Sequence, residues 1–379
     1  MIMEDKMSKP AGMNKKLIAA IVAVIVIIAA VSAALLLISS TPASTAPVKY
    51  VSMAVGNMKN ALSTNTSIGG YISWEPFGSD GIISGVGHAL KWSGEVKPDH
   101  PCCIVLVSNS FLSTDQGRNL TARFLKAHMD ATDWINDALS HKTGVNYTLL
   151  VNMAVTFTGR NASVVKASFE HVKYEYSIDQ NMIDSIAWYA EQFINIDVMT
   201  NSSLNGKGYT SPADFAGKYI NSSHLANASS ITPSTTTYGS VKLGFLTADI
   251  HQMAQVVARN ASVFGGKNLF AKYGVDVTIA TGAPYSSGPT EMDNFANGNV
   301  DIGYLGAPPA ILKHINNPGV QAKIVAQANT EGSALIVGPG INSLNDLRGK
   351  VVAIPAEGSI QYLLLQVIMR DANIPLVKA

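Results

Sequence analysis

Five short stretches carry the side chains able to do chemistry. Cys102 and Cys103 are adjacent and follow His100, which raises metal binding or redox chemistry. Zinc sites take about four ligands, with cysteine pairs usually two to four residues apart. Neighbouring residues of a strand point to opposite faces, so one thiol is expected as buried apolar filler and no metal ligand is assigned. Thr247, Asp249 and His251 follow an alternating run, Val241-Lys-Leu-Gly-Phe-Leu246, and stand where a strand hands over to a helix. Gly306-Ala-Pro-Pro309 and Ala356-Glu-Gly-Ser-Ile-Gln361 each follow a strand pattern and open a helix. Such ends present backbone N–H groups and a partial positive charge to an anion, although Pro and Ser there also serve as ordinary helix starts. Gly306, Ala307, Pro308, Gly358, Ser359 and Gln361 are therefore candidate ligand contacts, the last two through side-chain hydrogen bonds. Trp74 and Glu75 end a strand ahead of Pro76. A strand-end Trp is often core, and a Glu75 carboxylate would suit an ammonium group better than an oxyanion. No nucleophile–base motif, phosphate-binding P-loop or HExxH is present, so no catalytic residue and no cofactor are assigned.

These residues need a scaffold, and the pattern supplies one. Val241–Leu246, Val275–Ile279 and Asp301–Tyr304 read as strands, separated by helical stretches at 250–273, interrupted at Gly265-Gly266, and at 289–296. That β-α-β-α-β order predicts an α/β fold with a parallel sheet, whose ligands bind past the strands' carboxyl ends. Upstream, Val48–Met53 and Gly70–Pro76 are strand-like, and 56–62 and 77–85 are helical. Leu120, Phe124, Leu125, His128, Met129, Trp134, Ile135 and Leu139 make one apolar face of a helix across 115–140.

The strings "VKLGFLTADIHQ", "FANGNVDIGYLGAPPAILKHIN", "ANTEGSALIV" and "SLNDLRGKVVAIPAEGSIQYLLL" occur in that order from Val241. They resemble the N-terminal half of nitrate/sulfonate/taurine-type solute-binding proteins of ABC importers, the NMT1-like (SsuA/THI5-like) branch of type II periplasmic binding proteins. "WEPF", "HALKWSGEVKPDHPCCIVLVSNSFL", the stretch 164–193 and the stretch 209–228 resemble that family's C-terminal half. The resemblance implies a two-lobed α/β fold, with Trp74 and Glu75 at the cleft and "HPCC" ahead of a strand that crosses between the lobes. Ile68-Gly-Gly-Tyr71 departs from it where an acidic residue is expected. Each half occurs once and in reversed order, which predicts a circular permutant, with a truncated tandem fusion or a domain-swapped dimer as rivals. The cysteine-rich iron motif of pyrimidine-synthesising relatives has no counterpart here, and the protein is expected not to be an enzyme.

The 379 residues are long enough for two cored lobes. Lobe one is expected from 109–342 and lobe two from 48–108 plus 343–379, with low-complexity 229–240 joining the halves. A net charge of +1 without a long basic run excludes nucleic acid as an obvious partner. Mean hydropathy is +0.18, much of it from Leu17–Ile38, an apolar run interrupted only by Ser32. Its length predicts one membrane span after a lysine-bearing stub, 1–16, that stays cytoplasmic. A cleaved signal peptide is the competing reading. A Ser/Thr/Pro stalk, 39–47, follows. Sequons at Asn65, Asn119, Asn146, Asn161, Asn201, Asn221, Asn227 and Asn260 suit a glycosylated exterior. The expectation is thus a membrane-anchored extracellular receptor whose partners are a small solute and an ABC permease with its ATPase. A surface-interaction or sensory ectodomain of the same fold is the alternative.

Overall fold

A computed structural model describes residues 45–316 and 319–379, together with Val24 and Val26. The expected span Leu17–Ile38 lies outside the described residues apart from those two valines, as does the stub 1–16. Among the described residues no helix is long and apolar enough to cross a membrane. Residues 46–379 form one compact unit.

Thirteen strands appear in chain order: β1 (Val48–Ser52), β2 (Ile68–Trp74), β3 (His88–Trp92), β4 (Cys103–Ser108), β5 (Val172–Tyr174), β6 (Gly239–Phe245), β7 (Val275–Ile279), β8 (Ile302–Gly306), β9 (Ala322–Gln327), β10 (Asn329–Glu331), β11 (Ser333–Val337), β12 (Val351–Ile354) and β13 (Leu376–Lys378). Among the described residues they build a five-stranded sheet, β7-β6-β8-β4-β9, a six-stranded sheet, β13-β1-β12-β2-β11-β3, and a two-stranded one, β10-β5. In the first, β6 pairs parallel with β7 and β8, while β4 lies antiparallel between β8 and β9. In the second, β1 lies parallel between β12 and β13, in the register Lys49↔Val351 and Val48↔Leu376. All six residues of β4 are buried, which is why it reads as an unbroken apolar run and not as an alternation.

Among the helices, α1 (Val55–Thr64) and α2 (Phe77–Ile83) flank β2. The longest, α3 (Asp115–His141), starts where the Thr114 hydroxyl accepts the Gly117 N–H. Its expected face holds: Leu120, Phe124, Leu125, His128 and Ile135 are buried, and Met129, Trp134 and Leu139 half-buried against the core. His128 pins the helix to the sheet, with Nε2 bonded to the Gln327 carbonyl at 2.8 Å and Nδ1 to the Tyr304 hydroxyl at 2.9 Å. Three more bear on the site: α4 (Gly288–Ala296), α5 (Ala307–Asn316) and α6 (Ile360–Asp371).

Two expectations need correcting. The helix expected over 250–273 is instead a 3₁₀ turn, Ile250–Gln252, a short helix, Met253–Ala258, and another, Leu269–Lys272. The Asn260 side chain accepts the Ser262 N–H, and Asn268 caps the restart, so local side-chain bonds compete with the helix. The lobe boundaries shift as well. β4, placed by sequence with 48–108, belongs to the five-stranded sheet, and β11, placed with 109–342, belongs to the six-stranded one. The chain passes between the sheets at 93–103 and at 328–333.

Glu291 on α4 is an unusual core residue. Its carboxylate is fully buried, has no hydrogen-bond partner, and lies over Gly303 and Gly244. A Cβ at Gly303 would come within 2.3 Å of Glu291 Oε1, so only glycine leaves room. Burial holds its pKa well above the usual carboxylate value. The unfolded chain releases this proton above about pH 4.3, whereas the folded chain keeps it. Stability from this group is therefore complete at acid pH and declines as pH rises. Glu291→Gln should raise the melting temperature at pH 8, with the gain shrinking towards pH 4.5 in thermal unfolding. A gain independent of pH would contradict the protonated assignment.

Candidate ligand-binding cleft

The two crossing segments run side by side as an antiparallel ribbon. Cys102 N–H donates to the Asn329 carbonyl at 3.0 Å, Glu331 N–H to the His100 carbonyl at 3.0 Å, and Ala328 N–H to the Cys103 carbonyl at 2.9 Å. Buried Asn329 adds its side-chain oxygen, which accepts the Cys103 N–H at 2.9 Å. This ribbon forms the back of a cleft between the sheets.

At the carboxyl end of β6, Asp249 Oδ1 accepts the His251 N–H at 3.1 Å and starts the 3₁₀ turn. Gln252 locks that turn to the sheet, its Oε1 accepting from Leu246 N and its Nε2 donating to the Tyr304 carbonyl and to Asp249 Oδ2. His251 is fully buried. Its Nε2 lies 3.0 Å from the Gly332 carbonyl, which can only accept, so Nε2 carries the proton. Its Nδ1 faces Cys102 Sγ at 3.4 Å and Asp249 Oδ1 at 3.2 Å. Cys103 Sγ lies 3.4 Å from Asp249 Oδ2.

Both thiols thus reach the same cavity, against the expectation that adjacent cysteines face apart. Cys102 precedes β4 and lies outside its pleat, so alternation does not separate the side chains. The hydrogen bond from Cys103 and the charge of His251 hold Cys102 well below the usual thiol pKa, against its burial. Burial, and then the bond to Cys102, push Cys103 up. Burial opposes the charge on His251, but Cys102 and Asp249 together raise it to about 9. Burial raises Asp249 to about 6.

The cavity is lined by Trp74, Cys102, Cys103, Leu246, Asp249, His251, Gly288, Gly306, Pro309, Ser359, Ile360 and Gln361, and its free volume is about 10 Å³. Trp74, His251, Gly306, Ser359 and Gln361 therefore meet at one place, as candidate contacts must. Trp74 is 3% exposed and its indole N–H has no partner. Gln361 Nε2 donates to Ser333 Oγ at 2.9 Å. Ser359 caps α6, its hydroxyl accepting from Tyr362 N and donating to the Ala356 carbonyl.

The other candidates lie elsewhere. Thr247 is exposed and bonds to the Pro284 carbonyl. Gly358 packs against Leu312 and Pro289. Ala307 donates its N–H to the Cys102 carbonyl at 3.0 Å, and Pro308 and Pro309 have none to give. Those three residues offer an anion no backbone donor. Glu75 is buried but turned away, its carboxylate accepting from Ser79 N at 3.0 Å, Ser79 Oγ at 2.9 Å and Ser168 Oγ at 2.9 Å. Its acceptor sites are occupied within the protein, so the expected ammonium contact is not formed by this carboxylate. Asp249 lines the cavity as its position at the strand end suggested, while Cys102, Cys103, Leu246, Gly288, Pro309 and Ile360 are lining residues that the site assignment from sequence missed. The His-Pro-Cys-Cys run was the available signal.

Two α/β lobes joined by a two-segment ribbon, with a buried cleft past the strands' carboxyl ends, are the arrangement of a two-lobed solute-binding protein. The profile of the NMT1-like family matches residues 31–147 and 235–376, more than half of the chain, and the chain belongs to that family. Its members are solute-binding proteins of the sulfonate, nitrate and thiamine-precursor type, and this protein binds and does not catalyse. No curated protein and no solved structure matches the chain.

Gly332 keeps His251 in place. It sits at φ +84°, and a Cβ there would lie 2.2 Å from His251 Nε2. Gly332→Ala should destabilise the protein by about 1–3 kcal/mol in urea unfolding, from backbone strain and the displaced imidazole. It should also shift the His251 ring signals in NMR. Unchanged stability and ring signals would show that His251 does not depend on this contact.

Proposed function

We propose that the protein is the extracytoplasmic solute receptor of an ABC importer, anchored by Leu17–Ile38 with its N-terminus cytoplasmic. A small solute of the sulfonate, nitrate or taurine-like class, or a related organic molecule, binds between the lobes. The observation that carries this reading is the cavity itself, closed by both lobes at the ribbon. A volume of about 10 Å³ admits about one water-sized species, so a solute enters by separation of the lobes and closes them on return. The closed lobes would then be the form that the permease recognises. Six of the eight sequons, those at Asn65, Asn119, Asn146, Asn161, Asn201 and Asn227, have an exposed asparagine, which suits an exterior surface.

A panel of small anionic and zwitterionic solutes tested on the full-length chain by thermal shift is the direct check. A true ligand at 100 times its Kd adds about 2.7 kcal/mol. Trp74→Phe, which removes the unpartnered N–H, and Gln361→Ala should each weaken that ligand by about tenfold, the loss of one buried hydrogen bond. A panel that shifts nothing, or a ligand indifferent to both changes, would count against a receptor cleft here.

The same reading takes the chain as a circular permutant forming one receptor. Its support is β1, which lies between β12 and β13 of the same molecule, with Ala379 N–H donating to the Tyr50 carbonyl at 2.9 Å. A chain relinked from 379 to 48 and opened within 229–240 should fold as a monomer of similar melting temperature. Separate expression of 48–228 and 241–379 should yield no cooperatively folding product, since each leaves an open sheet edge. A relinked chain that fails to fold, or halves that fold alone, would refute the permutation.

A further inference from the structure

We propose that the floor of the cleft binds one thiophilic divalent cation of the zinc class through Cys102 Sγ, Cys103 Sγ and His251 Nδ1. The inference rests on the receptor reading only in placing the cation where the solute is bound. The three donor atoms lie within 4.8 Å of one another and are all buried. A tetrahedral cation stands about 2.3 Å from sulfur and about 2.0–2.1 Å from nitrogen, so its ligands sit about 3.5–3.8 Å apart. The 3.4 Å between Cys102 Sγ and His251 Nδ1 is already close to that edge.

The outer contacts are those a metal-binding histidine needs. Nε2–H is bonded to the Gly332 carbonyl, which leaves Nδ1 as the donor atom, 3.4 Å from Cys102 Sγ and within 4.8 Å of Cys103 Sγ. Asp249 touches His251 and Cys103 and supplies a further negative charge beside the site. No lysine or arginine lines the cavity, so no fixed side-chain cation of that kind repels a metal ion there. A divalent cation entering the site displaces the thiol and imidazole protons, which leave to solvent. Two sulfurs and one imidazole select zinc-class ions over magnesium or calcium. The cavity holds one atom-sized species, and the fourth position faces it, open to a donor atom of the solute.

The test uses the full-length chain, kept reduced and freed of metal by dialysis against chelator. Zinc is titrated in competition with a chromophoric chelator, and cobalt(II) is added separately as a spectroscopic probe. The expected result is one zinc per chain and a cobalt spectrum with sulfur-to-metal charge transfer and intense tetrahedral bands. Cys102→Ser, Cys103→Ser and His251→Gln should each weaken zinc by at least about 100-fold, the upper end of what losing an outer contact costs. The exposed His141→Gln should leave it unchanged. The cobalt spectrum is read on the unaltered chain, so a variant that misfolds does not decide the matter. No charge-transfer band, or zinc binding that survives both serine changes, overturns the proposal. If zinc fails but an organic solute stabilises the wild type and not Gln361→Ala, the metal site falls and the receptor reading stands. If zinc binds as described but neither zinc nor any solute changes the scattering radius, the metal site stands and the receptor reading falls.

Discussion

The antiparallel pairing of residues 100–103 with 328–331 is the constraint on which the rest of the cleft depends. Both lobes share a run of backbone hydrogen bonds here, and buried Asn329 fastens it from within. Asn329 accepts from Cys103 and returns its amide to the Thr330 and Glu331 carbonyls at 3.1 and 3.2 Å. A fully satisfied buried amide of this kind holds one register, because any slip leaves polar groups unpaired at a cost of about 1–3 kcal/mol each. The same register sets Cys102 beside Cys103 and brings the Gly332 carbonyl to His251.

The electrostatics of the floor follow from that arrangement. Three helices, α4, α5 and α6, begin at or beside residues that line the cleft, but α5 has consumed or lost the donors of its first residues. What is left is the ends of α4 and α6, each about half a charge and worth about 0.3–1 kcal/mol to an anion. A carboxylate such as Asp249 opposes an anion at 4 Å by about 4 kcal/mol at an effective dielectric of 20. A charged Asp249 therefore outweighs the helix ends, and an anionic group of a solute needs a further partner, such as the His251 imidazolium.

The sheet strands, the long helix and the two-lobed architecture were legible because their signals are periodic and repeat over many residues. β4 and α3 are examples, each read from a run that admits one burial pattern. The meeting of Trp74, Gly306, Ser359 and Gln361 was legible too, since strand ends converge in this kind of fold. Cys102 was misread because a rule for residues within a strand was applied across its boundary, which sequence locates only to within a few residues. Glu75 was misjudged for a different reason. Its partners, Ser79 and Ser168, include one 93 positions away, and no local pattern reveals such an acceptor. The helix over 250–273 failed because two asparagine side chains outcompete the backbone at positions that composition alone does not distinguish.

The interleaving of β1 between β12 and β13 also orders how the molecule is made. Tyr50 donates its hydroxyl to Glu357, 307 positions later in the chain. Drawing such distant segments together costs about 3 kcal/mol more loop entropy than closing a ten-residue turn. The segment from β4 to β9 is continuous, so the five-stranded lobe can form on the ribosome while β1, β2 and β3 wait without their partners. Their apolar edges stay uncovered until β11 and β12 emerge. A nascent chain of this protein is therefore most exposed to aggregation and proteolysis through β1, β2 and β3, from their emergence until β11 and β12 follow.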